Sequence, residues 1–174
     1  MLKPCFRAQS HDGDDLSRST CDHCGFIDYQ NPRIVVGSVV EEDGKVLLCR
    51  RAIEPRRGLW TVPAGFLEQH ETPEQGARRE AREEAEVDLH IEGLLAIYTI
   101  SHISQIQLMY RAVLATPGFA AGPESLEVEL FEWDRIPWDQ LAFPSVKRAL
   151  EDYRRDLSGA PFTATFDQPL ARLG

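Results

Sequence analysis

No apolar run in the 174 residues comes near the ~20 that a helix needs to cross a bilayer. The first stretch, MLKPCFRAQSHDGDD, also lacks an apolar segment of the kind that directs secretion. A soluble, cytoplasmic protein is the expectation. Basic side chains are scarce beside acidic ones, 19 against 28, for a net charge of −9. That shortage disfavours a nucleic-acid partner, because backbone binding rests on clustered Lys and Arg. A small anionic partner stays open, since a bound cation reverses the local field. Cysteine is sparse too, at Cys5, Cys21, Cys24 and Cys49 only. Cys49 lies in the apolar run VLLCRR and is expected to be a buried, inert thiol. Cys21 and Cys24 are spaced C-x-x-C, which in a reducing compartment points to metal or redox chemistry rather than a structural disulfide.

What is present divides into three zones, with no internal repeat. Residues 1–32 are polar and loop-rich. Residues 33–154 carry the alternating elements of one compact domain, long enough to bury a core. From 155 to 174 the chain has Gly and Pro but little periodicity, and is expected to lie extended or loose. Within the middle zone, RIVVGSVVEEDGKVLLCRRA reads as two β runs joined by the turn signal EEDG. LWTVPAGF reads as a short strand entering a loop, and LLAIYTISHISQIQLMYRAVLA as two or more strands. LEVELFEW alternates like a half-buried strand. SVKRALEDYRRDL spaces Val146, Ala149, Leu150 and Tyr153 as a helix face, with Ser145 available as its cap. Strands flanked by two helices give an α/β (α+β) sandwich around a mixed sheet.

The most informative stretch is GFLEQHETPEQGARREAREEAEV, residues 65–87. Thr72, Pro73 and Gln75 form a capping box with proline at the first helical position, so a helix is expected from 73. Ala77, Ala81 and Ala85 share one stripe, small enough for close packing on a sheet. Glu80, Glu83 and Glu84 share the neighbouring stripe. Opposite-charge pairs Glu74–Arg78 and Arg79–Glu83 suit a solvated face. Each like-charge contact on such a face costs only ~0.2–0.5 kcal/mol, so repulsion alone does not demand a metal.

The same stretch resembles the Nudix box, G-x5-E-x7-R-E-U-x-E-E-x-G-U. Gly65, Glu71, Arg79–Glu80, Glu83–Glu84 and Val87 match it. At about one residue in fifteen per type, six fixed positions would coincide roughly once in ten million windows, so chance is set aside. Ala81 is smaller than the usual aliphatic. Glu86 stands where the family has a glycine at a left-handed helix end, a replacement worth about 1 kcal/mol if that backbone is kept.

The resemblance implies a Nudix-type α/β/α sandwich that binds Mg²⁺ or Mn²⁺ and hydrolyses a nucleoside diphosphate linked to a moiety X. By the same resemblance Glu83 and Glu84 are the principal metal ligands, and Glu80 a further ligand or base. The Gly65 carbonyl is a backbone ligand, and Arg79 with Glu71 a supporting pair. The general base lies in the box or in a later loop, where Glu124 and Glu127 are candidates. Arg50, Arg51, Arg56 and Arg57 could meet phosphates. Trp60, Phe66, Phe26 and Tyr29 could stack a base, although core packing is the alternative for Trp60.

A wider likeness, over most of residues 18–153, is to a Nudix subgroup with a small N-terminal zinc ribbon. Its members include NADH, ADP-ribose and FAD pyrophosphatases, commonly dimeric. The NADH array SQPWPFPxS is absent, with IQLMY after Ser104–Gln105. The proline marking ADP-ribose enzymes is replaced around His102 and Ile103. ADP-ribose, FAD and NADH-like dinucleotides therefore all stay open as the small-molecule substrate, and a homodimer is the expected assembly. In the ribbon only Cys21–Cys24 survives as a pair, because Ala8 stands where a partner for Cys5 would fall. Cys5, Cys21 and Cys24 with His11 or His23 could complete a zinc site, or packing alone could hold the segment. Two rival functions are a non-catalytic nucleotide sensor and the decapping of nucleotide-capped RNA. Retention of all four box glutamates favours an enzyme over the sensor.

Overall fold

The computed structural model describes residue 3 and residues 5–156. The expected C-terminal tail lies outside the described residues, except that the last helix continues to Asp156, past the expected boundary at 154. Two compact units divide between Pro32 and Arg33.

In the first unit, β1 (Phe6–Gln9), β2 (Arg18–Cys21) and β3 (Ile27–Asp28) form an antiparallel sheet in that order. Cys21 ends β2 and Cys24 lies in the tight turn to β3, where Gly25 has φ +72°.

The second unit is built on β4 (Arg33–Glu42) and β5 (Lys45–Arg51), an antiparallel hairpin. Its EEDG turn places Asp43 and Gly44 at φ 52° and 77°. Two consecutive left-handed residues follow the right-handed twist of the flanking strands, which is why Asp-Gly is favoured there. The main sheet runs β10-β5-β4-β9-β8, with β8 at Leu89–Ile100, β9 at Gln105–Leu114 and β10 at Ser125–Glu132. Only β4 and β9 are parallel in it, so the sheet is mixed. The short strands β6 (Trp60–Thr61) and β7 (Ala64–Phe66) pair with β5 and β4. LWTVPAGF is thus split in two, because Pro63 has no N–H to continue a ladder.

Helices α1 (Pro73–Ala85) and α2 (Pro144–Asp156) cover opposite faces. The period-2 alternation of the strands shows it. Val39, Val46 and Leu48 join Trp60, Leu150 and Tyr153 beneath α2. Val40, Leu47 and Cys49 join Ala81, Ala85 and Val87 beneath α1. A strand buried on both faces has no polar side to show, so VVGSVV and VLLC read as unbroken apolar runs. Each fully buried Val or Leu contributes roughly 1.5–3 kcal/mol. Helix α2 starts at Pro144, one residue before the expected cap, and Ser145 is buried inside its first turn. The Phe143 carbonyl accepts from Val146 N–H instead, at 3.0 Å. Tyr98 of β8 donates its hydroxyl to buried Asp152 at 2.8 Å, tying α2 to the sheet. No helix among the described residues is long and apolar enough to cross a membrane.

Candidate active site

Helix α1 carries the acidic cluster, and both of its ends are set by local chemistry. The Thr72 hydroxyl accepts Gln75 N–H at 3.2 Å, and the Gln75 side chain accepts Thr72 N–H at 2.8 Å. At the other end Glu86 takes φ 53° and ψ 34°, the left-handed conformation that the family motif gives to glycine. The backbone there is kept and the strain accepted, about 1 kcal/mol or more.

The alanine stripe sinks α1 close to the sheet and draws the adjoining carboxylates inward with it. Glu80 and Glu84 are only 8% and 4% exposed, whereas Glu83 stands in solvent. The Glu84 carboxylate accepts Ala64 N–H at 3.1 Å. Burial pushes the Glu84 carboxyl up to about 8, the neighbouring charges of Glu80 and Glu124 add to the rise, and the Ala64 hydrogen bond and Arg51 oppose it. Burial also raises Glu80, against the pull of Arg79.

Arg79 ties the site together. Its guanidinium donates to both oxygens of Glu71, at 2.8 and 3.1 Å, and to the Phe66 carbonyl at 2.9 Å. It reaches Glu80 at 2.7 Å and Glu83 at 3.0 Å as well. Glu71 in turn accepts Glu68 N–H at 2.7 Å, so the 66–72 loop is fixed to the helix. These contacts hold the Glu71 carboxyl below the usual carboxylate range. Gly65, in β7, lies directly against Glu80: a Cβ there would sit 2.3 Å from the Glu80 Oε2. Only glycine lets that carboxylate rest on the strand.

Other expected site residues divide. Glu124 lies near enough for its charge to raise both Glu80 and Glu84, and Arg51 near enough to lower Glu84. Arg51 also donates to the Pro55 carbonyl at 2.9 Å and lies over the Phe143 ring. Arg50, one residue away, points to the opposite side of the strand. It donates to the Gly58 carbonyl at 2.9 Å and pairs with Glu127 at 3.4 Å, an ion pair that spans β5 and β10. Arg56 and Arg57 are exposed in the following turn. Trp60 is corrected from stacking platform to core residue. It is 7% exposed, beneath α2, with its ring edge-on to Phe131 at 4.9 Å. Phe66 is 45% exposed beneath the Arg33 guanidinium. Phe26 and Tyr29 are exposed in the first unit. Reading the sequence missed the Ala64 N–H and could not choose Arg51 over Arg50. The alternation of β5 held that second signal, because Arg51 shares the parity of Leu47 and Cys49, which face α1.

Among the described residues no three His, Cys, Asp or Glu side chains gather closely enough to hold an ion by themselves. For Mg²⁺ or Mn²⁺ this is no obstacle, because such ions use one or two carboxylates together with substrate phosphates and waters. Glu84, buried and hydrogen-bonded to Ala64 N–H, and Glu80, which shares one guanidinium with Glu71 and Glu83, are hard-oxygen donors that fit that requirement. A structural zinc takes four protein ligands, and no such set gathers among the described residues. Cys21 is buried while Cys5 and Cys24 are exposed. Ala8 is paired with Ser19 inside the sheet, and the His11 ring is hydrogen-bonded to Thr20 at 2.8 Å. Cys49 is buried as expected, and burial pushes its thiol far up.

A NUDIX domain model matches residues 31–156. The chain belongs to the Nudix domain family, and its fold and relatives make it a Nudix pyrophosphatase. It is similar to an ADP-ribose pyrophosphatase of Methanocaldococcus jannaschii, 30% identical over 75% of this chain and 78% of the relative. It is also similar to the NAD-capped RNA hydrolase NudC of Edwardsiella ictaluri, 28% identical over 82% of this chain but only 55% of that protein. Among solved structures, a NUDIX hydrolase from Nitrosomonas europaea superposes with a TM-score of 0.85, at 43% identity, covering 94% of this chain and 92% of the other.

Proposed function

We propose that the protein hydrolyses the pyrophosphate bond of a nucleoside diphosphate linked to X, with ADP-ribose, FAD or an NADH-like dinucleotide as substrate and Mg²⁺ or Mn²⁺ as cofactor. The observation that carries this reading is the pair of buried carboxylates, Glu80 and Glu84, on one side of α1. Buried anions short of positive charge are costly unless something positive completes them. When bound, a divalent ion would supply charge neutralisation on the diphosphate and a more acidic water. Glu84 and Glu80 would hold it, with Glu83 swinging from Arg79 and the Gly65 carbonyl available beside them. Arg79 keeps the loop and helix in register. Arg51 adds positive charge where a phosphate oxygen would lie. Glu124, whose charge reaches the pair, would accept a proton from water. The ADP-ribose pyrophosphatase among the relatives supports the dinucleotide class.

The NudC relatives favour a second reading, in which the X group is an RNA carrying a nucleotide cap. The net charge of −9 weighs against a long RNA track. For the first unit we propose a fold held without zinc, by the Arg7–Asp22 contact at 2.6 Å, the His11–Thr20 hydrogen bond and packing. A homodimer is proposed on the family resemblance alone. The deciding experiment is a Mg²⁺/Mn²⁺-dependent panel of ADP-ribose, NADH, FAD, diadenosine polyphosphates, nucleoside triphosphates and NAD-capped RNA, scored by product. AMP from a dinucleotide, lost in Glu83→Gln, is the expected result. Cleavage restricted to triphosphates, or full activity in Glu83→Gln, would overturn the proposal.

A further inference from the structure

The connection between β9 and β10, ATPGFAAGPE at 115–124, is exposed along most of its length but is tied down onto the helix. It runs along the C-terminal end of α1. A helix leaves its last carbonyls without partners in the helix itself, and this connection supplies two of them. Gly122 N–H donates to the Glu84 carbonyl at 3.1 Å, and Ala120 N–H to the Ala85 carbonyl at 3.0 Å. Its far end is tied as well. Ala52 N–H, one residue beyond Arg51, donates to the Glu124 carbonyl at 2.8 Å. Between these ties, Ser125 N–H donates to the Gly122 carbonyl at 3.0 Å, closing a turn with Pro123 at its second position.

Gly122 is buried, although Ala120, Ala121, Pro123 and Glu124 around it are exposed. Its Cα lies directly on the helix backbone. A Cβ at this position would fall 1.8 Å from the Glu83 carbonyl oxygen, 2.8 Å from its carbon and 3.3 Å from the Glu84 carbonyl carbon. All three are backbone atoms, so no side chain can swing aside to make room. Restoring an ordinary C···O separation of ~3.3 Å would take a displacement of about 1.5 Å, shared between loop and helix. The two residues pressed are the Glu83–Glu84 pair itself. The residue carried by the same turn is Glu124, whose charge already acts on Glu80 and Glu84.

We propose that Gly122 is a positioning residue for the acidic site: by lacking a side chain it seats the 115–124 connection on the Glu83 and Glu84 carbonyls, and so fixes how far Glu124 stands from the Glu80–Glu84 pair. The inference rests on the hydrolase reading above. It makes the spacing of four glutamates depend on one backbone contact, outside the 65–87 motif that supplies three of them.

The test compares wild type, Gly122→Ala, Ala120→Pro and Ala121→Ser. Ala120→Pro replaces the N–H that meets the Ala85 carbonyl with a ring methylene, breaking the second tie without touching the Gly122 contact, and serves if Gly122→Ala does not fold. Ala121→Ser changes an exposed neighbour that makes no such contact. Mn²⁺ affinity of the substrate-free protein is read by electron paramagnetic resonance, alongside kcat, KM and the thermal midpoint. A displacement near 1 Å in a catalytic array costs on the order of a hundredfold in rate. Gly122→Ala is therefore expected to lose ~100-fold in kcat, with KM changed less than about threefold, and to bind Mn²⁺ more weakly. Ala120→Pro should follow in the same direction by ~10-fold, and Ala121→Ser should match wild type. Wild-type Mn²⁺ affinity and kcat in both loop variants would overturn the inference and leave the hydrolase reading intact. A wild-type protein that neither binds Mn²⁺ nor cleaves the panel would overturn both.

Discussion

Replacing Glu84 by Gln should make the metal-free protein more stable while abolishing its activity. In the folded protein the Glu84 carboxyl is raised from 4.5 to about 8, mainly by burial. The sign follows from proton uptake. Between pH 4.5 and 8 the folded state holds a proton that the unfolded chain has released, so stability falls as pH rises through that window. Full ionisation in place costs at most (8 − 4.5) × 1.36, or roughly 5 kcal/mol, above pH 8. Glu80 and Glu124 share that repulsion and their side chains can relax, so about 2 kcal/mol is the working figure. Gln is close in shape, carries no charge, and its amide oxygen can still accept from Ala64 N–H. At pH 8.5 in chelator, Glu84→Gln should therefore melt ~4–8 °C above wild type, with the gap closing toward pH 5. Added Mn²⁺ should raise the wild-type midpoint and leave the variant unmoved, and turnover in the variant should fall by orders of magnitude. A variant that melts below wild type at pH 8.5, or by the same margin at pH 5, would refute the reasoning.

Two further outcomes concern places where the chain departs from its family pattern. Glu86→Gly should relieve the left-handed strain and stabilise the fold by ~0.5–1 kcal/mol, less than the strain itself because glycine also loosens the unfolded chain; denaturant titration reads this. Protein purified without added metal should contain far less than one zinc per chain by atomic emission, and chelator should leave its N-terminal amide spectrum unchanged, whereas one zinc per chain would restore a metal-held ribbon.

Much of this architecture is legible in the order of residues alone. The helix start at Pro73 follows from Thr72 and Gln75, because a capping box is a local device that tertiary contacts rarely override. The EEDG hairpin is readable for the same reason. The two-layer cover of the sheet shows as apolar runs with no polar face. Legibility ends where long-range contacts decide. Trp60 looks available for stacking because sequence records its neighbours in the chain, and Phe131 beneath α2 is not one of them. Arg50 and Arg51 are equal candidates until strand parity separates them. The AGPES segment reads as a loop carrying a glutamate, with nothing to show that its glycine presses on the helix. The family motif identifies Glu80, Glu83 and Glu84, but not that two are buried and one is exposed. That difference comes from how deep three alanines let the helix sit.

Arg79 has a consequence for how the site is filled and emptied. Its one guanidinium touches Glu71, Glu80, Glu83 and the Phe66 carbonyl at once. The acidic surface therefore never waits bare: it carries an internal counter-ion that a newcomer must push aside. Exchange in place of simple capture lowers the net gain on occupancy and eases departure, since the guanidinium is on hand to take back its carboxylates. A catalyst that must release a cation together with each phosphorylated product would have a use for such a spare positive charge, and Lys, with no planar fork to span four acceptors, could not supply it.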